Sequence, residues 1–220
     1  MDYSHQLTAS IEAPVQLGKI VCVGRNYAAH ARELNNPIPQ QPLLFIKPAT
    51  AAVAMAGTIT LPSEGGQCHH ELEMALLIGH RLSAASNDDE IAAAVVAVGL
   101  ALDLTLRDLQ DSLKSKGQPW ERAKAFDGSC PLSNFVPVSG HDLQAMELSL
   151  QRNGQLQQTG NSRDMLFPIN TLLREISAVF TLLPGDVVLT GTPAGVGPLH
   201  SGDQLIATLG HILTINTTVN

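Results

Sequence analysis

The 220 residues contain no basic cluster, no internal repeat, no low-complexity tract and no linker rich in Gly, Ser or charge. Thirteen Lys and Arg stand against twenty Asp and Glu, for a formal charge of −7, so nucleic acid and anionic membrane surfaces are poor partners. Only 15% of residues are charged and 44% are apolar, which allows a sizeable core and argues against disorder. The longest apolar run, "IAAAVVAVGLAL" from Ile91, is too short to span a bilayer. The opening "MDYSHQLTASIE" lacks the basic and apolar regions of a secretory signal, so none is expected. Cys22, Cys68 and Cys130 are widely spaced, odd in number and without C-x-x-C spacing. That argues against a disulfide framework or structural zinc site and points to reduced cysteines in a cytoplasmic protein.

What is present is a series of short apolar segments, read as a single domain over 18–220 after an N-terminal extension over 1–17. Strands are expected at Ile20 to Val23, in "PLLFIKPA", "TITLP" and "ELEMALLIG", and after Gly-Asp in "GDVVLTG" and "GDQLIATL". "AAHAREL" has helical composition and "NNPIPQQP" breaks it. "SNDDEIAAAVVAVGLALDLTL" reads as a helix, capped by Ser86 or Asn87, that gives way to strand after Gly99. "FPINTLLREISAVFTL" has Ile169, Leu172, Leu173, Ile176, Val179 and Phe180 at helical spacing, with Pro168 near the first turn. Two or three short helices among many strands make a doubly wound sheet unlikely and an α+β, mostly β chain the expectation.

"HHELEMALLIG" begins an apolar strand with two carboxylates. Side chains alternate across a strand, so Glu71 and Glu73 share a face with Ala75, about 7 Å apart between Cα atoms. Leu72, Met74, Leu76 and Ile78 point the other way, into core. Either the acids lie on a solvated face, or something positive meets them: a metal, or Lys and Arg. A second strand carries Ala97, Gly99, Ala101 and Asp103 on one face, small residues leading to one acid, as a close approach by another group requires. With no His-rich or Cys-rich set nearby, Glu71, Glu73 and Asp103 would select a hard cation.

Other positions carry two readings each. His30 and Glu33, three apart on a helix, form a general-base pair or a surface ion pair. Lys124, near Trp120 and Phe126, snorkels or holds an anion. Arg107 and Asp108 pair with neighbours or bind a ligand. "LTGTPAGVGP" is neither a Walker loop nor a dinucleotide fingerprint, and its glycines allow tight turns and close backbone approach.

In order along the chain, "GRNYAAHAREL", "LFIKPATA", "HHELEMALLIG", "ALDLTLRDLQ", "WERAKAFDGSCP", "SRDMLFPINTLLREIS" and "PGDVVLTGTPAGVGPL" resemble the fumarylacetoacetate hydrolase family over roughly residues 18 to 216. The likeness is to its short single-domain branch of acylpyruvate hydrolases and oxaloacetate decarboxylases. The resemblance implies a mixed β-sandwich roll, a homodimer, and Mg²⁺ or Mn²⁺ on Glu71, Glu73 and Asp103. It implies His30 and Glu33 as a base pair on a lid, Lys124 beside the metal and substrate oxygens, and Arg107, Gln110 and Thr192 as substrate-binding groups. Arg25 and Lys47 lie in family motifs and join that substrate-binding set. The implied reaction is metal-dependent hydrolysis of a 2,4-dioxo acid (an acylpyruvate) to pyruvate and a carboxylic acid. The same constellation would serve an oxaloacetate decarboxylase or tautomerase. A non-catalytic dicarboxylate-binding protein would keep the metal ligands but need no base.

Overall fold

The computed structural model describes residues 3–8, 16–85 and 87–220. Its strands are β1 (Lys19–Gly24), β2 (Leu43–Pro48), β3 (Ala52–Ala54), β4 (Gly57–Ile59), β5 (Cys68–His70), β6 (Leu72–Ile78), β7 (Val95–Leu102) and β8 (Thr105–Leu106). There follow β9 (Cys130–Leu132), β10 (Val136–Pro137), β11 (Glu147–Arg152), β12 (Gln155–Asn161), β13 (Val187–Leu189), β14 (Gly197–Pro198), β15 (Gln204–Leu209) and β16 (Leu213–Val219). The helices are α1 (Ala28–Glu33), α2 (Asp88–Ala94), α3 (Arg107–Ser115), α4 (Glu121–Lys124) and α5 (Ile169–Val179). None of these helices is long and apolar enough to cross a membrane.

A mixed sheet runs β2-β1-β13-β6-β7-β9-β3, with β10 also paired to β7. A five-stranded sheet runs β12-β11-β15-β16-β4, and β14-β5-β8 form a third. The first two pack as the curled layers of a mostly β fold. Alternation along the central strands builds two cores, because successive side chains leave opposite faces. Val21, Leu72, Met74, Leu76, Val98 and Leu100 join a core shared with Leu148, Leu150 and Leu205 of the second sheet and with α2 and α5. Ile20, Cys22, Ala75, Leu77, Ala97 and Ala101 join a smaller core with Cys130, Leu132 and Phe135. Each large side chain buried this way stabilises by about 1.5–3 kcal/mol.

The small-residue face of β7 has its physical cause here. A Cβ on Gly99 would lie 2.8 Å from Ser133 Oγ and 3.0 Å from the Asn134 carbonyl, so the chain after β9 can approach only a glycine. The same face continues past β7 to Asp103 and, across the ladder, from Ala75 to Glu73 and Glu71.

Several expectations are corrected. The strand after α2 begins at Val95, not after Gly99. β-branched Val95 and Val98 pair with β6, and Val98 also with β10, and that pairing overrides the helical alanine run. Asn87 caps α2 by accepting the Glu90 N–H at 3.0 Å, while Ser86 lies outside the described residues. Among the described residues there are five α-helices rather than two or three, since α3 and α4 are short and contain few apolar residues. Within 1–17, residues 1–2 and 9–15 lie outside the described residues. Residues 3–8 dock on the large sheet: Leu7 bridges to Phe135, and His5 Nε2 donates to the Gly185 carbonyl at 2.9 Å.

Candidate active site

β6 and β7 bring the three carboxylates together. Glu73 lies opposite Ala101 in the ladder, and the Asp103 N–H donates to the Glu71 carbonyl at 2.8 Å, extending the pairing one step beyond the strand ends. All three acids are buried, and each offers an oxygen within 4.8 Å of the others.

The acids do not lie on a solvated face; lysines and an arginine meet two of them. Lys124, at the end of α4, donates to Glu71 Oε2 at 2.9 Å, Asp103 Oδ2 at 2.6 Å and Thr105 Oγ1 at 2.7 Å, which uses all three of its protons. Its ammonium also lies 5.3 Å from the centre of the Phe45 ring. Arg107 donates through Nη2 to Glu71 Oε1 and through Nη1 to Gln110 Oε1 at 2.7 Å. Lys47 is fully buried on β2, and its ammonium pairs with Asp103 Oδ1 at 2.8 Å and donates to the carbonyls of Lys124 and Ser129. It sits behind Asp103 rather than on the cleft wall.

The electrostatics are uneven. Burial alone would raise Glu71, but Lys124 and Arg107 outweigh it and hold its carboxyl well below the usual range. Burial, then Asp103 and Glu71, drives Glu73 well above that range. Among the described residues Glu73 has no cation; its support is the Gly191 N–H at 2.6 Å. Burial disfavours the Lys124 ammonium, yet Asp103 and Glu71 raise its pKa. Three converging oxygens with one undercompensated carboxylate fit a hard divalent cation.

These acids floor an open cleft whose walls include Arg25, His30, Phe45, Gln110, Trp120 and Thr192. His30 faces it from α1, with Nδ1 3.2 Å from Glu33 Oε2. Glu33 Oε1 accepts the Gly195 N–H at 2.9 Å, tying α1 to the Gly-rich loop. Gly195 has φ +98°, and a Cβ there would lie 2.0 Å from the Gln157 carbonyl, so both conformation and space demand glycine. Thr192 lines the cleft, but its hydroxyl donates to the Leu72 carbonyl at 2.8 Å and accepts from Gln158 Nε2 at 2.7 Å. It presents no free proton to a bound carboxylate.

Two supporting residues escaped the sequence reading. Gln158 of β12 is fully buried and uses its whole amide: Oε1 accepts from His70 Nδ1 and from the Leu72 N–H, both at 2.9 Å, and Nε2 donates to Thr192 Oγ1 and to the Pro193 carbonyl at 2.9 Å. It fastens the start of β6 to the Thr192 loop. Asn26 is likewise fully buried and joins the turn after β1 to the Thr190 carbonyl at 2.8 Å and to the Phe167 N–H at 2.8 Å. Asn26 stood within the quoted "GRNY" motif. Gln158, in a hairpin that reads as polar and exposed, left no signal.

The chain matches the C-terminal domain of the fumarylacetoacetate (FAA) hydrolase family over residues 19–220. It is 50% identical over 209 residues to an oxaloacetate tautomerase of Escherichia coli (strain K12), covering 94% of each chain. It is 42% identical over 192 residues to a mitochondrial oxaloacetate decarboxylase of Dictyostelium discoideum, covering 85% of this chain and 86% of that one. Among solved structures, the fumarylpyruvate hydrolase of Pseudomonas aeruginosa in complex with Mn²⁺ and pyruvate superposes with a TM-score of 0.92 at 32% identity, covering 99% of this chain and 95% of that one.

Proposed function

The chain belongs to the fumarylacetoacetate hydrolase family, and from that premise we propose that it interconverts the keto and enol forms of oxaloacetate. The observation that carries this reading is the His30–Glu33 pair on the wall above three clustered carboxylates, in a chain half identical to an oxaloacetate tautomerase. The comparisons favour it over acylpyruvate hydrolysis, the activity expected first from the motifs.

Glu71, Glu73 and Asp103 would hold a divalent cation, Mg²⁺ or Mn²⁺, which would supply Lewis-acid polarisation of a 2-oxo acid's carbonyl. The rest falls to the protein. Glu33 holds His30 Nδ1, which leaves Nε2 as the ring nitrogen able to take a proton from C3 of the keto form and deliver it to the 2-oxygen of the enolate, and the reverse from the enol. Lys124, with all its protons committed, acts as a fixed positive charge beside the oxygen that becomes negative, not as a proton donor. Phe45 and Trp120 give that wall an apolar surface. Moving one proton needs one base, and the cleft provides one such pair.

Hydrolysis of an acylpyruvate is the second reading, favoured by the fumarylpyruvate hydrolase likeness. It asks His30 to activate a water instead. The test mixes enol oxaloacetate rapidly with protein and Mg²⁺, following enol absorbance and pyruvate release separately, with acetylpyruvate in parallel. Enol decay well ahead of pyruvate release is expected. Decay matched by pyruvate would make the protein a decarboxylase, and loss of acetylpyruvate alone would make it a hydrolase. Family membership also implies a homodimer, which light scattering of the purified chain checks.

A further inference from the structure

The cations of the cleft floor all have partners: Lys47 pairs with Asp103, Lys124 with Glu71 and Asp103, and Arg107 with Glu71. Lys114, on the wall, pairs with Asp111 at 2.9 Å. Arg25 differs. It lines the same cleft and is half-buried, yet its guanidinium makes no hydrogen bond or ion pair among the described residues. Its backbone is left-handed at φ +60°, a conformation disfavoured for a residue with a Cβ. The neighbouring Asn26 enforces that turn through its bonds to Thr190 and Phe167, and the Leu166 N–H donates to the Asn26 carbonyl at 2.8 Å. An arginine held at a strained, rigid turn, facing a cleft and lacking a carboxylate, is prepared for an anion from outside.

We propose that Arg25 binds the second carboxylate of a dicarboxylic 2-oxo acid, the one remote from the Glu71, Glu73 and Asp103 cluster, and thereby selects dianionic substrates over acylpyruvates with a neutral tail. This rests on the oxaloacetate reading and deepens it by naming the group that chooses the substrate class. Charge supports it. Four carboxylates (Glu33, Glu71, Glu73 and Asp103) meet four cations (Arg25, Lys47, Arg107 and Lys124), so a bound dication leaves two positive charges. A dicarboxylate neutralises both, whereas an acylpyruvate neutralises one. The planar fork of Arg25 matches a carboxylate with two parallel hydrogen bonds, which lysine cannot reproduce.

The experiment measures binding by calorimetry in Mg²⁺, so it does not depend on turnover. The probes are 3,3-difluoro-oxaloacetate, a dicarboxylate that cannot enolise, and oxalate, which has no remote carboxylate. Arg25→Asn removes the charge with a residue that tolerates the left-handed turn. It should weaken difluoro-oxaloacetate on the order of thirtyfold while leaving oxalate within about twofold. Arg25→Lys should recover part of the loss. Equal weakening of both probes, or of neither, would overturn the proposal. Should Arg25→Asn fail to fold, the affinity ratio of the two probes in Arg25→Lys and Arg25→Gly decides in its place. If wild-type protein turns over acetylpyruvate and not oxaloacetate, the functional reading fails, and the probe ratio still judges Arg25 on its own.

Discussion

The carboxylate floor and the α1 flank face one cleft but are held by different forces. The floor hangs from β6 and β7, whose side chains are almost all buried; buried Lys47, Lys124 and Arg107 pair with Glu71 and Asp103, while Glu73 accepts the Gly191 N–H. The flank is a helix of six residues with no side-chain cap and no acid in its first turn. It is followed by Asn35 at φ +52° and a largely exposed stretch up to β2, and Glu33 anchors it to Gly195. A buried ion-pair network cannot lose one member without stranding the others, so the floor should couple chemistry to stability. A short helix that buries only His30 and Ala31 has little packing to lose, so the flank should affect chemistry more than stability.

Asp103→Ala is the harshest test of that contrast. It strands the Lys47 ammonium and deletes one of the three clustered acids, so turnover should fall at least about 10³-fold. Urea unfolding should show a loss of about 3 kcal/mol. His30→Asn should cost about 10²-fold in turnover, with no more than about 1 kcal/mol of stability. If it destabilised as much as Asp103→Ala, the flank would be structural and the contrast would collapse. Glu33→Gln keeps an acceptor for the Gly195 N–H but removes the charge beside His30. About a tenfold drop in kcat with an unchanged melting temperature is expected, and a larger drop in KM-weighted terms than in kcat would shift Glu33 from orienting a base to shaping the cleft.

The smallest effect lies outside both regions and sets their baseline. His5 is buried, donates to Gly185, and meets Phe135 edge-on with ring centres 5.3 Å apart. Burial lowers its pKa from 6.5. The folded state then binds fewer protons than the unfolded state, so this contribution is complete above about pH 6.5 and is lost as pH falls toward the folded value. The melting temperature should decline gently below that pH, and the decline should shrink in His5→Asn.

Part of the site was legible because a strand has a period of two. Parity alone put Glu71 and Glu73 on one face, and the small residues before Asp103 announced a close neighbour that proved to be the chain at Ser133 and Asn134. The glycines of 191 and 195 were legible as tight turns, though not as the donors that hold Glu73 and Glu33. Lys47 and Gln158 were not legible in their roles. Lys47 reaches Asp103 only because β2 and β7 belong to one sheet, and Gln158 reaches His70 only because the β11–β12 hairpin folds over β5. Side-chain period is local, whereas which strand lies beside which depends on contacts across more than fifty residues. The proposed activity was half legible: the motifs point to a 2-oxo acid as substrate beside the carboxylate cluster, and one such constellation would serve tautomerisation, decarboxylation and hydrolysis alike.

By itself the sequence determined the mostly β character, the three carboxylates and their shared face, and the helical His30–Glu33 pair, since each follows from side-chain identity and the geometry of a single element. Only the tertiary structure decided which cations neutralise those acids, that Lys124 has no proton to give, that Thr192 is already bonded, and that Arg25 is left without a partner. Those outcomes are set by distances between elements far apart in the chain, where a shift of one or two ångströms separates an ion pair from an open charge.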